Sequence, residues 1–287
     1  MGPITKQSVQ KLFLAVPFAL LAAGCGAEME GQGLPEDAQP EAAVAADAPE
    51  SLAQVEQGVA LGGSYWWGTS NNGNTTYTIG TTTNQTCFLT GVQGNLKPTV
   101  AGNWSSAGTY MSGGNWFVFV NHTNSKALGT GVQCLATSAG RTAEVTWRQG
   151  NAAKLLGAVT STRRCFLTRL EASTGAFTTG DDEVKVWNDG LNWYLGGDLA
   201  GTGGARAMCV DVPTGQGGWL WGAGYGGGFT ENLAYNPGGV ACLLTGLGGP
   251  MTTSSFTDGV SIDYNSGTRY WEMTVVNGKR GYANCVK

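Results

Sequence analysis

Cys165-Phe166-Leu167-Thr168 has near copies at Cys87-Phe88-Leu89-Thr90 and Cys242-Leu243-Leu244-Thr245, 78 residues before it and 77 after it. No other feature restricts the fold as strongly. Each copy is followed by a tryptophan, Trp116, Trp193 or Trp271, at 29, 28 and 29 residues from its cysteine. A second cysteine, Cys134, Cys209 or Cys285, then closes each unit. The same residue types in the same order at one long period mark a structural repeat. The units run 63–140, 141–215 and 216–287, and together they form one domain, 63–287.

Each unit reads as β-structure. Forty-seven glycines and ten tryptophans, with no long helix-forming run, point to short strands and many turns. Glu183-Val184-Lys185-Val186-Trp187 alternates polar and apolar residues, as a half-buried strand does. Asn188-Asp189-Gly190 is a turn signal, and Asn192-Trp193-Tyr194-Leu195 is the returning strand. The third unit repeats this with Val260 to Tyr264, a turn at Asn265-Ser266-Gly267, and Trp271 to Val275. About five strands per unit are expected, separated by Gly-, Asn- and Thr-rich loops such as Thr69 to Asn74 and Gly222 to Gly228. No helix is needed.

The cysteines add a constraint. Seven are present, and without Cys25 the remaining six fall two per unit, which in an exported chain reads as three disulfides. Repeat symmetry favours two pairings. One lies within units: Cys87–Cys134, Cys165–Cys209 and Cys242–Cys285. The other joins neighbours: Cys134–Cys165, Cys209–Cys242 and Cys87–Cys285. Pairing within units is preferred because each unit is then self-contained, and each bridge contributes about 4 kcal/mol by loop-closure entropy. It also favours an all-β, β-trefoil-like domain of three antiparallel repeats in a pseudo-threefold arrangement. The alternative is a three-bladed propeller or prism-like ring. Zinc is not expected, since the chain has no Cys-x-x-Cys pair and a single histidine, His122. No cofactor is implied.

The N-terminus gives an address. Lys6 and Lys11 precede an apolar run, Leu12 to Ala23, too short for the roughly 20 residues that span a bilayer. Leu21-Ala22-Ala23-Gly24-Cys25 then resembles the lipobox of bacterial lipoproteins. The resemblance implies that residues 1–25 are a lipoprotein signal and that Cys25 carries the lipid. In that family an Asp after the cysteine marks inner-membrane retention; Gly26 stands there, which implies the outer membrane or cell surface. Residues 26–62 hold eight acids, no Lys or Arg and no aromatic residue, the composition of a disordered, self-repelling tether.

From Gly63 onward the chain has 14 basic and 12 acidic residues, without the basic stripe that nucleic acid requires. Catalytic groups are sparse. His122 lies in Asn121-His122-Thr123-Asn124 and is expected in a surface loop, with no Gly-x-Ser-x-Gly elbow to accompany it. Asp181-Asp182-Glu183 offers paired carboxylates or oxygen ligands for Ca²⁺, but a solvated turn is the expectation. The first unit has no Asp or Glu between Gly63 and Ala143, so no carboxylate site is shared by all three units.

Aromatic residues remain. Trp116, Trp193 and Trp271 are expected to pack in their own units. Trp66, Trp67, Trp104, Trp219, Trp221 and Tyr225 flank Gly- and Asn-rich loops and are the candidate ligand-binding residues, since amphipathic rings suit sugar faces. The Cys-Phe-Leu-Thr…Trp…Cys unit is similar to tandem repeats in exported bacterial proteins of unassigned function, which brings no catalytic residues with it. The expected function is a surface-anchored, non-catalytic binding lipoprotein for glycan or another surface polymer. The alternatives are a self-associating envelope or matrix protein, and a glycan-acting hydrolase using the acids near Asp181.

Overall fold

A computed structural model describes residues 60–287, apart from 72, 99, 125, 214, 223–227 and 237; for 215–222 and 228 the backbone alone is described. The signal segment, Cys25, the acidic stretch up to 59, and Tyr225 lie outside the described residues.

The described chain is all-β. The first unit supplies β1 (Leu61–Thr69), β2 (Gly73–Thr81), β3 (Thr86–Gly94), β4 (Ser105–Ser112), β5 (Asn115–His122) and β6 (Leu128–Leu135). The second supplies β7 (Val145–Arg148), β8 (Lys154–Ala158), β9 (Arg163–Ala172), β10 (Glu183–Asn188), β11 (Asn192–Asp198) and β12 (Gly203–Asp211). The third supplies β13 (Gly215–Gly222), β14 (Gly228–Tyr235), β15 (Ala241–Gly248), β16 (Gly259–Asn265), β17 (Tyr270–Val276) and β18 (Arg280–Val286). There are thus six strands per unit rather than five. The additions β2, β8 and β14 are all sheet edges, where solvent on one side relaxes the apolar alternation that reveals inner strands.

Three antiparallel six-stranded sheets result, in the orders β1-β6-β3-β16-β17-β14, β7-β12-β9-β4-β5-β2 and β13-β18-β15-β10-β11-β8. Each sheet takes the first, sixth and third strands of one unit and the fourth, fifth and second of another. None closes into a barrel, so the barrel of a trefoil is absent. The hairpins β4–β5, β10–β11 and β16–β17 leave their own unit's sheet and extend a neighbour's instead.

The disulfides are Cys87–Cys134, Cys165–Cys209 and Cys242–Cys285, all within units. Each joins directly opposed residues of adjacent strands, β3 with β6, β9 with β12 and β15 with β18. Within-unit pairing therefore does not require a barrel. It requires the third and sixth strands to be neighbours while the hairpin between them pairs elsewhere.

The recurring threonine acquires a structural meaning here. Thr90, Thr168 and Thr245 are each the extra residue of a β-bulge: the register steps from Leu89 to Gly91, from Leu167 to Arg169 and from Leu244 to Gly246. A bulge shifts the two-residue alternation by one. Cys87 and Leu89 thus share a face with Val92, Cys165 and Leu167 with Leu170, and Cys242 and Leu244 with Leu247; all nine are fully buried. Past the bulge each strand also gains a second partner, β16, β4 or β10 respectively, from another unit. The threonine marks where a strand passes from its own unit into the shared sheet.

Trp116, Trp193 and Trp271 are buried in the core, as expected. β3, β9 and β15 pack on one another, and the rings of Phe88 and Phe166 meet there at 5.0 Å between centroids.

Candidate functional site

Trp66 and Trp67 are neighbours on β1, and adjacent strand residues face opposite sides of a sheet. Trp67 turns toward the core and stacks on Tyr77, with centroids 5.4 Å apart and planes 23° from parallel. Trp66 takes the other side and keeps 42% of its surface exposed. Its six-membered ring lies over two glycines of β6. A Cβ at Gly129 would stand 2.6 Å from Trp66 Cζ2, and one at Gly131 would stand 3.3 Å from Cε3. Any side chain at Gly129 would lift the indole off the sheet.

Phe256 joins this surface from the loop between β15 and β16. Its ring covers Gly68 and Gly129, so the two aromatics sit side by side over one glycine floor. Directly opposed residues then carry the row across all six strands: Trp66, Gly131, Gly91, Ser261, Thr274 and Thr230. At its far end the hydroxyls of Thr230 and Thr274 are 3.0 Å apart. An exposed ring on a rigid floor, next to small and hydroxylated residues, is chemically able to stack against a sugar face. Phe256 was not legible as a site residue; the only hint was an isolated ring in the Thr- and Ser-rich stretch Thr252 to Thr257.

The other nominated aromatics are placed differently. Trp67 is partly buried against the core, on the face of β1 opposite Trp66. Trp104 is half-buried, with the Arg148 guanidinium over its ring at 4.7 Å, so it joins the first unit's loop to the second unit's opening strand. Trp219 and Trp221 lie in β13 opposite Ala283 and Gly281. Trp221 thereby holds the register position of Trp67, opposite Thr130, and of the buried Trp147, opposite Ala205, each partner standing four residues before the closing cysteine.

The acidic cluster is largely structural. Asp182 is 1% exposed, and its carboxylate accepts from the backbone amides of Thr178 at 2.6 Å, Thr179 at 2.9 Å and Ala200 at 2.5 Å. It ties two loops together instead of ending a solvated turn. Glu183 is bonded by Lys185 and the Tyr282 hydroxyl. Burial pushes its carboxyl up, but those two bonds and the charges of Lys185 and Arg280 more than offset this, leaving it below the ordinary carboxylate range. Asp181, Asp182 and Asp198, with Thr179 and Ala200, line a small cavity of about 310 Å³. Among the described residues no three His, Cys, Asp or Glu side chains gather to hold a metal ion.

His122 is not in a surface loop. It ends β5, is 1% exposed, and its Nε2 stands 3.2 Å from the Asn95 carbonyl. Burial pulls its pKa below the ordinary imidazole value, against the upward pull of the Asn95 and Asn71 carbonyls.

Comparisons with protein-family models, curated proteins and solved structures return no match.

Proposed function

We propose that this chain is an exported, lipid-anchored, non-catalytic binding protein that recognises a glycan or another surface polymer. One observation carries the reading: the exposed Trp66 ring, seated over Gly129 and Gly131 beside Phe256. Stacking on a saccharide needs an accessible ring whose position is set before binding, so that little entropy is lost on contact. The non-catalytic part is supported by the use of Asp182 as an acceptor for backbone amides. In this reading the three sheets form a pseudo-threefold, prism-like ring. Cys25 carries the lipid, and the acidic stretch from 26 to 60, shorter by two residues than expected because β1 already begins at Leu61, spaces the domain from the outer membrane. Three buried disulfides fit an oxidising compartment.

A glycan array probed with the native chain and with Trp66→Ala is the test. Binding that falls roughly tenfold or more in the variant supports the reading, since a central tryptophan in an interface contributes about 2 kcal/mol or more. No glycan signal, together with concentration-dependent self-association in sedimentation, would move the chain to the structural alternative. Turnover of a glycan abolished by Asp181→Ala would move it to the hydrolase.

A further inference from the structure

The sheet built from β7, β12, β9, β4, β5 and β2 carries a second surface, on which the first two units meet. Opposed residues form two adjacent rows across it. One runs Asn74, Asn121, Ser106, Glu171, Gly204, Arg148. The other runs Thr76, Phe119, Gly108, Arg169, Arg206, Thr146. Gly108 separates Phe119 from Arg169, and without a side chain there the guanidinium reaches across to the Phe119 ring, at 4.6 Å from its centroid.

Arg169 is poorly satisfied where it lies. Its Nη1 stands 3.4 Å from Glu171 Oε1, but that carboxylate already accepts from Arg206 Nε at 2.9 Å and pairs with Arg148. The Nε of Arg169 is buried and finds no acceptor among the described residues. Arg148, Arg169 and Arg206 face only Glu144 and Glu171 in this network, which leaves one positive charge in excess. A guanidinium stays protonated even when partly buried, so the excess charge persists.

Arg169 also lines a cavity of about 310 Å³ with Asn74, Ser106, Tyr110, Phe119 and Asn121. That volume is at the lower end of the roughly 300–1,000 Å³ typical of small-molecule sites. The side chains of Asn74, Ser106 and Asn121 have no hydrogen-bond partner among the described residues. Two carboxamides and a hydroxyl are thus set on three paired strands, beside the rings of Tyr110 and Phe119 and one under-satisfied fork of donors.

We propose that this cavity binds an acidic saccharide, a sugar ring bearing a carboxylate. The carboxylate pairs with Arg169, and ring hydroxyls bond to Asn74, Ser106 and Asn121. A guanidinium presents parallel donors that match a carboxylate, while a simple anion would leave both carboxamides idle. The site lies on a different sheet from Trp66, so each surface stands or fails by its own variant.

Isothermal titration calorimetry of the full chain with uronic acid oligomers (galacturonate, mannuronate and glucuronate) tests the assignment. A fully methyl-esterified oligomer of the best binder serves as the neutral counterpart. The acidic form is expected to bind roughly tenfold or more tightly than its ester, as a charge-assisted bond implies, and to weaken with added salt. Arg169→Met is expected to erase that preference, and Trp66→Ala to leave it intact. Equal binding of acid and ester, no binding of any of the three oligomers, or an unchanged preference in Arg169→Met would each overturn the proposal. So would equal affinity for a polyglutamate peptide. The ester comparison uses the native chain, so it holds whether or not the variant folds.

Discussion

The ammonium of Lys279 is ion-paired with the carboxylate of Asp258, and both side chains are almost wholly shut off from water, at 0% and 4% exposure. The pair ties the start of β16 to the turn before β18. Lys279 also reaches the Asn277 carbonyl at 3.4 Å. Lys279→Met would leave a buried carboxylate unpaired and is expected to cost about 3–5 kcal/mol. The double variant Lys279→Met with Asp258→Leu should recover most of that loss, because no uncompensated charge remains. Chemical denaturation of both, with disulfides intact, measures it; equal destabilisation by the two would show that the unpaired charge is not the source of the loss.

The hairpin tryptophans are expected to differ, although the repeat makes them look alike. Trp116 Nε1 donates to the Gln85 carbonyl at 3.0 Å, and Trp271 Nε1 to that of Val240 at 2.7 Å, each two residues before the unit's first cysteine. At the matching place in the second unit, the Arg163 carbonyl accepts from Arg164 Nη1 at 2.7 Å, and Trp193 Nε1 has no partner among the described residues. Trp116→Phe and Trp271→Phe lose a made bond, about 1 kcal/mol beyond packing, whereas Trp193→Phe removes an orphaned donor and is expected to cost less. Thermal melts of the three variants rank them.

His122 predicts a pH dependence. Its folded pKa lies below the unfolded value, so the unfolded chain binds its proton first as pH falls. Stability from this residue is complete above the unfolded pKa, about 6.5, and is lost progressively as pH drops toward the lower folded value. Melting temperature should therefore decline below about pH 6.5, and His122→Gln should flatten that part of the curve. An unchanged slope in the variant would remove His122 as its source.

Gly129→Ala tests the floor under Trp66 without touching the ring. A Cβ there would intrude on both Trp66 Cζ2 and Phe256 Cδ1, at 2.6 and 3.2 Å. The indole must move, and glycan binding should fall nearly as far as in Trp66→Ala, with a blue- or red-shifted Trp emission as an independent sign of displacement. Unaltered binding with a shifted emission would show that the ring's placement is not what the ligand reads.

The reach of the sequence was set by locality. Alternation, turn signals and the scarcity of helix formers depend on neighbouring residues, and they established an all-β chain and most of its strands. The cysteine pairing was legible too, because repeat symmetry left two options and self-containment favoured the one observed. The edge strands β2, β8 and β14 were missed where a half-solvated edge blurs the alternation. Trp66 and Trp67 looked equivalent as candidates, since adjacent residues take opposite faces and only the sheet's packing says which face is wet. His122 sat among polar neighbours and was expected outside, yet the chain around Asn95 closes over it.

What the sequence determined by itself is the unit: a strand carrying Cys-Phe-Leu-Thr or Cys-Leu-Leu-Thr, a tryptophan hairpin, and a closing cysteine strand. The tertiary structure decided where the hairpin goes. Backbone amides and carbonyls pair equally well with any free strand edge, so the choice between a closed barrel and sheets shared between units is not encoded in local pattern. It is made by long-range packing: past the bulges at Thr90, Thr168 and Thr245 each strand pairs with a hairpin of another unit. Both proposed sites follow from that choice, since the Trp66 surface joins β1 and β6 to a third-unit loop, and the Arg169 cavity lies where β4 meets β9.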